Sequence, residues 1–138
     1  MVPSLRGGGD GVATVDVGAL RSLLGRWPNV KWLATFLSRT NQHEACVLAN
    51  KFRNLHLYGC WWYCNNPSII EEVTAIRLEM LGFSFTAQHS DARVLEHILY
   101  KWNTARAVIV EGASSFTVTF APCPSFIACG LKCHGPSK

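Results

Sequence analysis

Apolar residues recur at intervals of three and four along most of the chain, the spacing that places side chains on one face of a helix. Asn66 and Pro67 form a helix-start signal, a cap followed by proline at the first helical position, and Gly82 marks the end of that helix. The pattern therefore predicts helices near residues 17–27, 30–38, 41–52, 68–81 and 91–102.

Two other stretches show patterns that are typical of strands. Residues 55–63 are short, aromatic and bounded by Asn and Pro, which predicts a strand. Residues 105–120 contain a possible turn at 112–114 and predict a hairpin, whose last strand alternates strictly between hydroxyl and apolar side chains. Its open face would carry a row of uncharged hydroxyls, contributed by Ser115, Thr117 and Thr119.

This order of elements predicts an α+β fold with a small mixed or antiparallel sheet and helices packed on one of its faces. At 138 residues, with 49% hydrophobic and 16% charged residues, the chain is long and apolar enough to form one folded domain. We expect a flexible, glycine-rich arm over residues 1–16 and a single domain over residues 17–138. No apolar run approaches the ~20 residues of a membrane helix, so no membrane partner is expected.

Positive charge is concentrated in the first half of the chain, although the formal net charge is only +4. Between residues 21 and 53 the basic residues far outnumber the acidic ones, which favours contact with phosphates. Two tryptophans lie in this region, and exposed tryptophans can stack on bases. The candidate nucleic-acid residues here are Arg26, Trp27, Lys31, Trp32, Arg39, Lys51 and Arg53.

Cysteine spacing leaves two alternatives open. A set of four thiolates could hold zinc in a small interaction module: Cys60, Cys64, Cys129 and Cys133. In the other alternative, Cys64 lies between a strand and a helix, a placement that resembles the reactive turn of small sulfur-carrier proteins. The sequence shows no glycine-rich phosphate loop and no paired carboxylates in a plausible cleft, so we expect neither an enzyme nor a cofactor.

The order of elements resembles that of the tombusvirus and aureusvirus RNA silencing suppressors. The hydroxyl row of the last strand, with Arg106 on the strand before it, matches the family's paired strands, and Trp27 and Trp32 lie where its end-stacking tryptophans would. The resemblance implies a viral homodimer in the host cytoplasm, joined through its sheet edge and C-terminal segment. Its implied function is sequence-independent binding of double-stranded RNA, which suppresses host RNA silencing.

Overall fold

The structure, a computed structural model, describes residues 11–89 and 91–120. The four helices of this part are α1 (Gly18–Arg26), α2 (Gln42–Lys51), α3 (Pro67–Leu81) and α4 (Leu95–Phe120). Two strands are present, β1 (Trp32–Ala34) and β2 (Leu55–Leu57). Two short 3₁₀ turns, Arg39–Asn41 and Trp62–Cys64, precede α2 and α3.

The sheet is parallel, because α2 returns the chain to the edge from which β1 started. β1 and β2 pair with Leu33 opposite His56. The parallel order continues through a bridge between Tyr58 and Thr86, in which the Thr86 amide donates to the Leu57 carbonyl at 3.0 Å. The prediction of a mixed helix-and-strand fold is confirmed, and the prediction of antiparallel pairing is wrong.

The helices predicted over residues 17–27, 41–52 and 68–81 are confirmed, and the start of α3 shows why. The Asn66 side chain accepts a hydrogen bond from the Ile69 amide at 3.3 Å, and Pro67 occupies the first turn. The helix predicted over residues 30–38 is wrong, because that segment contributes β1. There the Trp32 amide donates to the Asn54 carbonyl at 2.7 Å, so the neighbouring chain satisfies the backbone.

The hairpin predicted over residues 105–120 is also wrong, because these residues continue α4. Ala105 is buried against α3, and Val108 and Ile109 pack around it at helical spacing. In the expected turn, the Ser114 hydroxyl donates to the Val110 carbonyl at 2.7 Å, a bond made within a helix. Packing against α3 thus outweighs the strand preference of the valines, isoleucine and threonines. Ser115, Thr117 and Thr119 lie on this helix, where strand alternation does not apply.

Two hydrophobic clusters hold the fold together. The first joins α1, α2 and β2 and includes Leu24, Ala45 and Leu57, each fully buried. The second lies between α3 and α4 and includes Ile70 and Val73. On the opposite face of the sheet Leu33 is 71% exposed, so these helices cover only one face at β1.

Several expectations about the ends of the chain stay predictions. Within the arm predicted over residues 1–16, Val15 exchanges two hydrogen bonds with the Asn41 side chain, at 3.0 and 2.9 Å. Three predictions depend on residues outside the described ones. They are the division into residues 1–16 and 17–138, the C-terminal dimer segment, and the metal-binding roles of Cys129 and Cys133. Within the described residues, no helix is both long and apolar enough to span a membrane.

Candidate functional site

An open cleft lies where β2 and the Thr86 bridge end. Its volume is about 440 Å³, within the range of small-molecule sites. The carboxyl ends of parallel strands meet at one edge of a sheet, and loops from that edge commonly form ligand sites. The cleft is lined by aromatic, amide and charged side chains: Trp62, Tyr63, Asn65, Asp91, Arg93, His97 and Lys101.

Asp91 is held from two sides. The Trp61 indole Nε1–H donates to Asp91 Oδ2 at 2.8 Å, and Lys101 Nζ donates to the Asp91 carbonyl at 3.1 Å. Only one of the two carboxylate oxygens is used by this indole bond, so the other is available within the described residues. Arg93, two residues further on, makes no ion pair with any described residue. The cleft therefore combines an oriented carboxylate with a guanidinium that has no ion pair in the part of the chain that the structure describes.

The backbone of the cleft is unusual at two of its lining residues. Among the described residues, Trp62 (φ 47°) and Asp91 (φ 41°) are the non-glycine positions with positive φ. Positive φ is a rare conformation for a bulky aromatic residue, and such outliers cluster at functional sites. Both outliers line the same cleft, which singles it out as the candidate site.

A glycine allows the close contact beneath the cleft. Gly59 has φ +65°, and a Cβ added there would lie 1.7 Å from Cδ2 of His89. The His89 ring packs on Tyr58 with centroids 5.2 Å apart. Burial lowers the pKa of His89, which favours the neutral imidazole at this position.

Three free thiols lie buried behind the cleft, around the guanidinium of Arg77. Burial raises the pKa of Cys46 and Cys64, and it raises the pKa of Cys60 to about 11. Arg77 is 1% exposed and donates from Nη2 to Gln42 Oε1 at 3.2 Å. Burial lowers the pKa of this guanidinium, although an arginine stays charged in proteins.

These thiols bear on both cysteine alternatives. A raised pKa disfavours the thiolate, so Cys64 lacks the activation that a sulfur-relay nucleophile needs. Within residues 11–89 and 91–120, no group of three or more His, Cys, Asp or Glu side chains is placed to hold a metal ion. The zinc set depends also on Cys129 and Cys133 and stays a prediction.

The residues proposed for nucleic-acid binding are not brought together. Lys31 and Arg53 line a second cleft of about 610 Å³. This cleft lies at the amino ends of the strands, the end of the sheet opposite to the first cleft. Arg26 and Lys51 end α1 and α2. Arg39 instead forms a bidentate pair with Glu72, with Nε to Oε2 at 2.7 Å and Nη2 to Oε1 at 2.9 Å.

The tryptophans and the remaining RNA candidates are equally dispersed. Trp27 is 53% exposed after α1, whereas Trp32 is half-buried in β1, so they do not form a pair of stacking side chains. Arg106 lies on α4 and not on a strand beside Ser115, Thr117 and Thr119.

Sequence reasoning missed the cleft, although two signals pointed to it. Three consecutive aromatic residues, Trp61 to Tyr63, end the stretch predicted as a strand over residues 55–63, and Asp91-Ala92-Arg93 begin the helix predicted over residues 91–102. A parallel sheet would have placed both runs at one edge. Because the sheet was expected to be mixed or antiparallel, Asp91 was assigned only to the start of the helix predicted over residues 91–102.

The described architecture is a set of short parallel strands joined by helices, with a polar cleft at the strands' carboxyl ends. Among solved structures, the chain is similar to a uronate isomerase from Bacillus halodurans C-125, with 45% sequence identity and a TM-score of 0.78. The similarity covers 91% of this chain and 28% of that protein's chain, so this chain spans under a third of its length. No protein-family model and no curated protein matches the chain.

This similarity corrects the functional prediction. A confident structural match to a bacterial enzyme contradicts a viral suppressor of RNA silencing that binds double-stranded RNA, so that prediction is wrong. The expectation of a non-enzyme gains no support, because the similar protein is an isomerase. The expectations of a homodimer and of a host-cytoplasmic location stay predictions.

Proposed function

We propose that the chain forms part of a uronate isomerase-type enzyme and contributes one wall of its sugar-acid site. The observation that carries this proposal is the 45% identity to the Bacillus halodurans isomerase over 91% of the chain. Since the chain corresponds to 28% of that protein, the remainder of such a site would come from other polypeptide. The cleft between the aromatic residues and α4 is the part that this chain supplies.

Charge in the cleft suits a sugar acid. A uronate carries one carboxylate on a body of hydroxyl groups, and guanidinium groups bind carboxylates through two parallel hydrogen bonds. Arg93 lines the cleft without an ion pair among the described residues, and Lys101 adds a second positive charge. We assign carboxylate recognition to Arg93, supported by Lys101.

Asp91 is the group best placed for proton transfer. An isomerase moves hydrogen within its substrate, and a positioned carboxylate can accept and return a proton. Trp61 orients the Asp91 carboxylate through its 2.8 Å hydrogen bond and leaves the other oxygen available within the described residues. Trp62 and Tyr63 provide apolar surface for the sugar body, while Asn65 supplies hydrogen bonds to its hydroxyls.

Calorimetric titration of the chain with D-glucuronate and with D-glucose tests this proposal. The two sugars share a ring and differ in the carboxylate, so we expect glucuronate to bind at least about tenfold more tightly. Arg93→Met should remove this preference. Arg53→Met is the matched control, because Arg53 lines the cleft at the opposite end of the sheet. Equal affinities for the two sugars, or loss of the preference in the Arg53 variant alone, would contradict the proposal.

A further inference from the structure

A single buried side chain, Gln88, connects the segments that form the cleft. Its Oε1 accepts hydrogen bonds from the Cys60 amide at 3.2 Å and the His89 amide at 3.3 Å. Its Nε2 donates to Asn65 Oδ1 at 2.9 Å. Gln88 is 2% exposed, its bond to the Cys60 amide is buried, and its bonds to His89 and Asn65 are partly buried.

The three bonds join both ends of one loop to the start of another. Residues 60–65, called the aromatic loop here, carry Trp61, Trp62 and Tyr63 between Cys60 and Asn65. Gln88 contacts the first and the last residue of this loop, and it immediately precedes the segment that leads to Asp91 and Arg93. The Gln88 amide therefore contacts both ends of the aromatic loop from the start of the segment that leads to Asp91.

We propose that Gln88 is a positioning residue, whose amide fixes the aromatic loop against the Asp91–Arg93 segment and thereby sets the geometry of the cleft. Its consequence for uronate binding rests on the proposed function, whereas its effect on the two segments does not. Gln88 itself is absent from the cleft lining, so it acts through the residues it holds.

Physical reasons favour a positioning role over general packing. Removing the amide would leave the buried Cys60 amide and the partly buried His89 amide without their acceptor, and unpaired buried groups drive local rearrangement. The bond from the Trp61 indole to Asp91 connects the same two segments without touching Gln88. That indole bond therefore reports their relative placement independently of any ligand.

Gln88→Met tests the proposal, because methionine has a similar length and makes none of the three bonds. By NMR hydrogen exchange, we expect the Trp61 indole N–H to exchange at least about tenfold faster in this variant. Asn54→Leu is the control, since Asn54 is also a buried amide, whose Nδ2 donates to the Leu24 and Trp27 carbonyls at 3.2 and 3.1 Å, far from the cleft. The control should lose stability and leave Trp61 exchange unchanged.

Two outcomes would overturn the positioning role. One is unchanged Trp61 exchange in Gln88→Met, and the other is equal acceleration in both variants, which would mean general loosening. Glucuronate titration gives a second readout, in which Gln88→Met should bind about tenfold more weakly and Asn54→Leu normally. If the unsubstituted chain binds no glucuronate, the proposed function fails while the indole readout still decides the role of Gln88.

Asn65→Ala keeps the proposal testable if Gln88→Met does not fold. This change removes only the bond at the far end of the aromatic loop and leaves the Cys60 and His89 amides paired. We expect Trp61 indole exchange to accelerate about threefold, a smaller effect than that of the full amide loss. Exchange at the rate of the unsubstituted chain would overturn the proposal.

Discussion

A cleft lies at each end of the parallel sheet. The two clefts differ more in their hydrogen bonding and backbone conformation than in volume or positive charge. The amino-end cleft, about 610 Å³, includes Lys31, Arg53 and His56, and none of the described residues lining it is Asp or Glu. Its walls include the last turns of α2 and α3, where helix carbonyls stabilise nearby cations. The carboxyl-end cleft, about 440 Å³, instead combines Asp91 with Arg93 and Lys101.

Hydrogen bonding and backbone conformation separate the two clefts. At the carboxyl end, Gln88 ties two loops together, Trp61 orients Asp91, and two lining residues have positive φ. At the amino end, Lys31 and Arg53 make no ion pair among the described residues, and the side-chain amides of Asn54 and Asn50 donate to backbone carbonyls at the ends of α1 and α3. Basic residues near one another are therefore a weaker indication of a site than basic residues beside an oriented carboxylate.

The largest effect should come from a methyl group at the carboxyl end. Gly59→Ala places a Cβ 1.7 Å from His89 Cδ2 at a residue with φ +65°, so we expect a loss of about 4 kcal/mol in the free energy of unfolding. Gly82→Ala is the matched variant after α3, with φ +60° and open space around the new Cβ, and should cost about 1–3 kcal/mol from backbone strain alone. Urea unfolding measures both, and equal losses would show that the contact with His89 is not tight.

The second largest effect should be a loss of folding stability at alkaline pH, caused by the Cys60 thiol at the carboxyl end of the sheet. The folded-state pKa of the Cys60 thiol is about 11 and its unperturbed value is 9.0, so in this range the unfolded chain loses the proton first. The stabilising effect of the protonated thiol is complete below pH 9 and declines toward pH 11, by about 2 kcal/mol. Urea unfolding at several pH values measures the free energy of unfolding of the unsubstituted chain and of Cys60→Ala. The variant should lack this loss between pH 9 and pH 11, and an equal loss in both proteins would contradict the prediction.

The smallest expected difference between the two ends is the effect of a lysine substitution on glucuronate affinity. Lys101→Met should weaken glucuronate binding roughly fivefold, about 1 kcal/mol, because a partly exposed charge contributes modestly. Lys31→Met removes the same charge at the amino end and should leave the affinity unchanged. Calorimetry at low salt measures both variants. A loss in the Lys31 variant comparable to that in the Lys101 variant would indicate nonspecific attraction by net charge.

Local signals predicted α1, α2 and α3, because the causes of these helices lie within a few residues. The Asn66 cap, Pro67 and Gly82 define α3 from adjacent positions. By contrast, β1 has three residues, and its identity depends on pairing with β2 more than twenty positions away. Residues 105–120 contain β-branched side chains, and only contact with α3 accounts for their helical form.

The candidate site was harder to predict than the helices. Asp91 and Arg93 approach Trp62 only because the strands are parallel, and sequence periodicity does not report strand direction. Gln88 gives no sequence signal at all, since its role depends on hydrogen bonds to residues 23 and 28 positions away. The wrong hairpin prediction placed the candidate site on the hydroxyl residues of what is α4.

The most direct measurement is an NMR titration of the ¹⁵N-labelled chain with D-glucuronate, with D-glucose as the reference. We predict that glucuronate shifts the amide signals of Asn65, Asp91, Arg93 and Lys101, leaves those of Lys31, Arg53 and His56 in place, and has a much larger effect than glucose. Shifts confined to the amino-end residues, or the same shifts with both sugars, would contradict a sugar-acid site at the carboxyl end of the sheet.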